Sequence, residues 1–299
     1  METFKNKTFI INRDTLLHLR LPFSYFLFPI YCFGISQTDS INWFNSIMVF
    51  IVLHFFIYPG SNVYNSFMDE DTGSIGVLKN PPPVTRKLYY ASIICDSVGL
   101  LLCVLIGWEM FLLMILYIAA SKIYSWKRTR IKKYAYGGWA LVILFQGAYT
   151  FLLVHMSAEN NFSLDWFTSK NIFCMLLATL LIGGYYPLTQ IYQHTEDKLR
   201  GDITISYRLG IYGTFIFTGI LFLLACAVAF YYFTNWYYFK QFILFMACLF
   251  PVILYYFYWF AKTLNDKKHA DFSHTMRMTF ISSTCMIICF IILFFLNHK

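Results

Sequence analysis

The chain has 299 residues, of which 59% are hydrophobic, 21% aromatic and only 13% charged, whereas about one quarter of the residues of soluble domains are charged. This composition excludes a secreted disulfide scaffold, a disordered chain, a collagen-like chain and most water-soluble folds. The net charge of +8 is interpreted as a sign of membrane topology rather than of nucleic-acid binding.

Nine apolar segments follow one another along the chain, each close to the length of a membrane-spanning helix. They cover residues 16–35, 41–59, 88–107, 108–124, 136–156, 171–192, 211–232, 238–261 and 278–296. Only short loops remain between them, so we expect one all-α membrane domain over residues 1–299, with no cleavable signal peptide. The eight cysteines fall in apolar stretches without a C-x-x-C pair and are interpreted as core residues.

The basic residues fall on one side of the nine predicted spans. Of the 23 Lys and Arg residues, all except Lys170, Lys240 and Lys299 lie on the side of the N-terminus. Because basic residues collect in cytoplasmic loops, we expect a cytoplasmic N-terminus and an external C-terminus. The sequence predicts a multi-pass integral protein of a bacterial cytoplasmic membrane.

Two polar stretches follow the second and sixth segments, and such residues beside a bilayer indicate a functional site. One runs from Tyr58 to Asp71 and the other from Tyr186 to Asp202. They align without a gap. Each begins with Tyr-Pro, and the same residue types then follow at the same spacing: a hydroxyl residue, an amide, a tyrosine, an amide, an aspartate and a glycine. We interpret this as an internal repeat of four-helix units, which places both stretches on the cytoplasmic side.

Each stretch carries two amides and one carboxylate at positions i, i+3 and i+7, which share one face of a helix. These residues are Asn62, Asn65 and Asp69 in the first stretch and Gln190, Gln193 and Asp197 in the second. Two such faces opposed across a central cavity would present hard oxygen ligands, which suit Mg²⁺ shared with substrate phosphates. Asp71, Glu196 and Asp202 would add carboxylates. The alternative is a pair of solvated helix ends, which does not require the same interval twice.

At these residues the chain resembles the UbiA superfamily of intramembrane prenyltransferases, which has nine helices and aspartate-rich motifs after helices two and six. Asn65-x3-Asp69 resembles the start of the family motif NxxxDxxxD. Its next acidic position falls on Gly73, so Asp71, or less favourably Glu70, would substitute. The second motif, DxxxD in the family, here begins with glutamine.

Further segments support the resemblance. The residues after Asp197, through Gly201 and Thr204 to Gly210, are similar to the family's D-(K/R)-x-x-G-x-x-T…LG ending. The loop after Tyr124, with sequence SWKRTRIKK, is similar to the family's Tyr-Ser/Thr…Arg-x-Lys segment. Leu19-Arg20-Leu-Pro22 resembles its opening R-x-x motif.

The resemblance implies Mg²⁺-dependent transfer of a prenyl group from an isoprenyl diphosphate to a lipophilic acceptor, an aromatic compound or quinone precursor, beside membrane lipid. The implied magnesium ligands are Asn62, Asn65, Asp69, Asp71, Gln193 and Asp197. The implied diphosphate contacts are Lys79, Arg130, Lys132, Lys198 and Arg200. Tyr124 and Asp96 are the candidate catalytic residues, although a hydrogen bond within the bundle explains Asp96 equally well.

Three other functions remain open at this point. A terpene cyclase of the same family would cyclise the cation internally. A transporter would also use internal repeats and broken helices, but the polar residues here lie at cytoplasmic helix ends rather than at the midplane. A non-catalytic scaffold is favoured only if the substituted carboxylates mean that metal binding is lost.

The charge asymmetry predicts the topology directly. A reporter fused after Arg86 should report the cytoplasm, and one fused near Asp165 should report the outside, because the basic loops stay on the cytoplasmic side. Alkaline phosphatase and fluorescent-protein fusions at both positions provide the measurement. The reverse pattern would contradict the predicted orientation.

Overall fold

The computed structural model describes residues 12–70 and 72–298. Within them eight helices are long and apolar enough to cross a membrane, and a bent helix pair makes nine, the predicted number, when it is counted as one span. The first span, α1, is a bent pair of helices, Arg13–Phe26 and Phe28–Ser36, with 42° between the two parts. The other eight are α2 (Trp43–Asp69), α3 (Arg86–Val104), α4 (Trp108–Ser125), α5 (Ala135–Glu159), α6 (Ser169–Arg200), α7 (Ile205–Trp236), α8 (Phe239–Asn265) and α9 (Phe272–Asn297).

The two helices that carry the polar stretches extend well beyond their apolar segments. The sequence placed their ends at residues 59 and 192, but α2 continues to Asp69 and α6 to Arg200. Those endpoints were wrong because hydropathy detects contact with lipid, whereas the polar turns of these helices face a cavity. A glycine in the left-handed region, Gly201 with φ of 70°, ends α6.

Both helices are irregular beside their prolines. In α2 a π-helical segment, Val52–Ile57, directly precedes the turn that contains Pro59. In α6 the turn after Pro187 tightens to a 3-10 helix over Ile191–Gln193. Proline removes a backbone donor and disturbs the helical hydrogen-bond pattern, and such irregular turns are frequent at functional sites.

Helix α6 packs between α5 and α7. Gly147 of α5 faces it so closely that a Cβ there would lie 2.8 Å from the Thr179 Cα. On the other side, the Thr218 hydroxyl of α7 donates a 2.8 Å hydrogen bond to the Gly184 carbonyl oxygen. Small residues and hydroxyl groups at such contacts let membrane helices approach and bind one another, and here they hold the helix that carries the second polar stretch.

The two ends of the chain also pack together. Phe33, in the second part of α1, is fully buried, and its ring centroid lies 4.7 Å from that of Phe290 in α9 and 5.1 Å from that of Phe151 in α5. Aromatic contacts at these separations stabilise the core beyond the burial of area alone. All eight cysteines are free, as the sequence predicts.

We expect Gly147→Ala to destabilise the protein, because the added methyl group would meet backbone atoms of α6 that cannot rotate away. Overpacking of this kind costs about 1–3 kcal/mol, so the thermal unfolding midpoint in detergent should fall. Gly137→Ala is the matched control, since its Cβ would make only ordinary contacts at 3.6 Å. Equal midpoints for the two variants would contradict the close approach of α5 and α6.

Candidate active site

The two polar stretches face one cavity of about 140 Å³ beside the ends of α2 and α6. We name it the polar cavity. Asn65 and Asp69 line it from α2, and Gln190, Gln193 and Asp197 line it from α6. The structure thus brings together five of the six repeated amide and carboxylate positions.

A second cavity of about 190 Å³, the inner cavity, adjoins the polar cavity between α2, α4 and α5. Its walls are mainly aromatic and aliphatic, with Tyr58, Tyr117, Leu141 and Phe145 among them, and Asn62 also lines it. The residues that line both cavities are Arg20, Phe23, Asn65, Tyr124 and Tyr186. A molecule with a charged head and an apolar tail matches this change in polarity.

Two tyrosines lie at the boundary between the cavities. The hydroxyl groups of Tyr124 and Tyr186 are hydrogen bonded to each other, and the Gln190 amide donates a 2.9 Å hydrogen bond to the Tyr186 oxygen. The Asn65 amide donates a hydrogen bond of the same length to the Ser125 hydroxyl. These bonds fix the ring positions of both tyrosines and one amide of the first stretch.

Arg20 is a site residue that the sequence-based assignment of site residues omitted. It is buried, lines both cavities, and donates a 2.9 Å hydrogen bond to the backbone carbonyl oxygen of Asn62. Its backbone is left-handed, with φ of 49°, directly before the Leu21-Pro22 turn. The resemblance of Leu19-Arg20-Leu-Pro22 to the family's opening motif was the one signal in the sequence that marked it.

A buried ion-pair network joins the first stretch to the loop between α4 and α5. Asp69 forms an ion pair with the Lys132 ammonium group, and the Arg130 Nη1 atom lies 3.3 Å from the other Asp69 oxygen. The Arg130 guanidinium also donates two hydrogen bonds of 2.8 Å to the two carboxylate oxygens of Asp202. Such a two-point contact fixes orientation as well as charge.

The chain after the second stretch positions that stretch in turn. The Thr204 hydroxyl donates a 2.8 Å hydrogen bond to the Asp197 carboxylate and accepts one from the Tyr207 N–H, which caps α7. The Asp202 N–H donates to the Asp197 carbonyl oxygen. The residues that resemble the family's motif ending therefore hold Asp197 and begin the next helix.

The structure places several predicted site residues elsewhere. Asp96 lines neither cavity; its carboxylate lies 2.6 Å from the Lys122 ammonium, which also lies over the Tyr64 ring. Lys79 lines a separate surface cavity with Arg277, while Lys198 is exposed and lines neither of the two named cavities. Asp71 lies outside the described residues.

The remaining predicted cations divide into two groups. Lys132 and Arg200 line the polar cavity directly. Arg130 reaches it through its contacts with Asp69 and Asp202, both of which line the cavity. The sequence does not distinguish the cations at the cavity from Lys79 and Lys198, because the position of each cation depends on how its loop folds over the helix ends.

One further group of possible metal ligands occurs in the described residues. Ligand atoms of His269, Asp271 and His274 lie within 4.8 Å of one another at the start of α9. Asp271 caps that helix by accepting the His274 N–H, and its second oxygen contacts the His274 ring nitrogen at 3.0 Å. Helix capping explains this arrangement.

Fold and site together define a polytopic helical membrane protein with a charged cavity at one end of its bundle and an apolar-walled cavity beside it. The sequence profile of the UbiA prenyltransferase family matches residues 26–284. The chain belongs to the UbiA prenyltransferase family.

Solved structures share the fold at low sequence identity. A UbiA homologue from Archaeoglobus fulgidus bound to DMAPP and Mg²⁺ has 16% identity and a TM-score of 0.70, with 94% of this chain and 99% of that chain covered. A UbiA homologue from Aeropyrum pernix K1 has 12% identity and a TM-score of 0.66 over the same shares. A digeranylgeranylglyceryl phosphate synthase has 18% identity and a TM-score of 0.59, with 94% and 97% covered. No curated protein sequence matches the chain.

We expect Asp202→Asn to destabilise the protein by about 3 kcal/mol, the usual cost of removing one partner of a buried ion pair. The variant would leave the Arg130 guanidinium without its two-point partner. Lys127→Gln is the control, because the Lys127–Glu70 pair, at 2.5 Å, is exposed on both sides and such pairs contribute little. Thermal unfolding in detergent measures both variants, and similar losses would contradict the structural role of Asp202.

Proposed function

We propose that the protein transfers a prenyl group from an isoprenyl diphosphate to a lipophilic acceptor within the membrane. The proposed acceptor is an aromatic compound or quinone precursor. The observation that carries this proposal is the joined pair of cavities, in which a charged chamber opens into an apolar-walled one. Homologues from Archaeoglobus fulgidus bound to DMAPP or GPP with Mg²⁺ support the donor class.

The oxygens of the polar cavity fit magnesium. Among the described residues, the buried Oε1 atom of Gln190 accepts no hydrogen bond, and the buried Oδ1 atom of Asp69 accepts none although the Arg130 Nη1 atom lies 3.3 Å away. Buried acceptors without a hydrogen bond are rare unless an ion or water meets them. Carboxylate and amide oxygens are also the ligand types that Mg²⁺ takes. Bound magnesium would neutralise the diphosphate and make it a better leaving group.

The proposed magnesium ligands now differ in the support that the structure gives them. Asn65, Asp69, Gln193 and Asp197 would hold the ion from the two sides of the polar cavity. Asn62 stays in the proposed set but faces the inner cavity, where its amide donates to the Leu19 carbonyl oxygen. Asp71 stays in the set as a prediction from sequence.

The cations that line the polar cavity would bind the diphosphate. Lys132 and Arg200 would contact its oxygens, and Arg20 would do so at the boundary with the inner cavity, since charge-assisted hydrogen bonds to phosphate are strong. Arg130 would act beside Asp69. Lys79 and Lys198 would contribute only by attracting the anionic donor to the cytoplasmic side.

The inner cavity would hold the prenyl tail. When the diphosphate leaves, the allylic cation would lie near the boundary, where the faces of Tyr124 and Tyr186 can stabilise positive charge. Asp96 is not assigned as the base in this proposal, because its carboxylate is paired with Lys122 on another side of α2. The acceptor would attack the cation to form the new bond and then lose a proton, which the departed diphosphate can accept.

The test is Mg²⁺-dependent release of diphosphate from geranyl diphosphate by the purified protein, measured with a coupled pyrophosphatase assay. Asp69→Ala and Asp197→Ala should each lower turnover by about a hundredfold or more, as expected when stabilisation of developing charge is removed. Asp165→Ala is the control, because Asp165 is exposed in the loop between α5 and α6.

Each other outcome has a defined meaning. No release from the wild-type protein, with or without candidate acceptors, would contradict the proposed enzyme. Release without an acceptor, together with a cyclic hydrocarbon product, would assign a terpene cyclase instead. Full activity in both aspartate variants would show that the magnesium assignment is wrong.

A further inference from the structure

Gly73, two residues after the first polar stretch, has no side chain, and a residue of the second stretch fills the space beside it. A Cβ at Gly73 would lie 1.4 Å from the Glu196 Oε1 atom and 2.4 Å from its Cδ atom. These distances are far below contact, so the Glu196 carboxylate occupies the position that a side chain at residue 73 would take. Glu196 also lines the polar cavity.

The backbone does not require glycine at this position. The described glycines in the left-handed region are Gly201 and Gly210, and Gly73 is not one of them. A side chain at residue 73 would instead require the flexible Glu196 side chain to move out of this space. The glycine and the glutamate therefore form a complementary pair across the two stretches.

Glu196 lines the same cavity as two proposed ligands. Gln193 lies three residues before it, Asp197 directly follows it, and all three line the polar cavity. In a helix, residues three and four apart are neighbours, so Gln193 stands beside both carboxylates. The Arg200 Nη2 atom lies 3.8 Å from the Glu196 Oε2 atom, which keeps a cation next to this carboxylate.

Glu70, the other described acidic residue that could replace the carboxylate missing at Gly73, faces away from the polar cavity. Glu70 is exposed, and the Lys127 ammonium donates a 2.5 Å hydrogen bond to its carboxylate and lowers its pKa. It does not line the polar cavity. Its position directly after Asp69, which lines the cavity, makes it a matched comparison for Glu196.

We propose that Glu196 is a magnesium ligand, and that it supplies from the second stretch the carboxylate that the first stretch lacks at Gly73. The inference rests on the proposed function. It keeps three described carboxylates, Asp69, Glu196 and Asp197, around the ion although each motif has lost one acidic residue. The number of charged ligands is a main determinant of affinity for such cations.

The experiment measures magnesium dependence by binding rather than by turnover. Geranyl thiolodiphosphate, in which sulfur replaces the oxygen that would leave, is added to the purified protein, and thermal stabilisation is followed over a Mg²⁺ titration. Glu196→Gln should raise the half-saturating Mg²⁺ concentration about tenfold or more, in line with losses on altering metal-site residues. Glu70→Gln should leave it unchanged.

A relocation variant separates ligand loss from misfolding. Glu196→Ala should lose magnesium affinity, and Gly73→Asp combined with Glu196→Ala should recover most of it, because the carboxylate returns to the same space from the other stretch. Gly73→Asp alone should lower stability, since two carboxylates would then compete for one position.

The outcomes distinguish this inference from the proposed function. A wild-type protein that magnesium and the thiolodiphosphate together fail to stabilise would contradict the proposed function itself. A responsive wild type with an unchanged titration in Glu196→Gln would overturn the role of Glu196 alone. A larger change in Glu70→Gln than in Glu196→Gln would assign the missing carboxylate to Glu70 instead.

Discussion

A charge buried at the edge of a membrane must be paired, and this constraint determines the site. Asp69 and Asp202 are almost completely buried, and a buried carboxylate without a partner would cost several kcal/mol. Arg130 contacts both, and Lys132 pairs with Asp69. Cations from the loop between α4 and α5 thus hold the two polar stretches next to each other.

This network gives the same residues two physical roles. Lys132 neutralises Asp69 within the protein, and in the proposed reaction it would also contact the diphosphate. Arg130 orients Asp202, whose backbone N–H in turn holds the carbonyl of Asp197. Substitutions in this loop would therefore affect both the stability of the bundle and the chemistry of the polar cavity.

The irregular turns of α2 and α6 lie close to the polar stretches that form the cavity. The π-helical segment before Pro59 and the 3-10 turn after Pro187 alter the helices where they leave the apolar part of the bundle. The tyrosine pair at Tyr124 and Tyr186 marks the change from charged to apolar walls. A substrate that is ionic at one end and hydrocarbon at the other suits this boundary, because each part meets surroundings of its own polarity.

Sequence by itself determined the helical class and the succession of apolar spans, because lipid and water act on each segment according to its own composition. It also predicted that Asn65 and Asp69 share a face, since helical spacing is local. Tertiary structure alone decided that Asp96 pairs with Lys122, that Arg20 reaches both cavities, and that Glu196 fills the space at Gly73. Each of these contacts joins residues of different segments, and the packing of helices, not the spacing along the chain, determines which side chains meet.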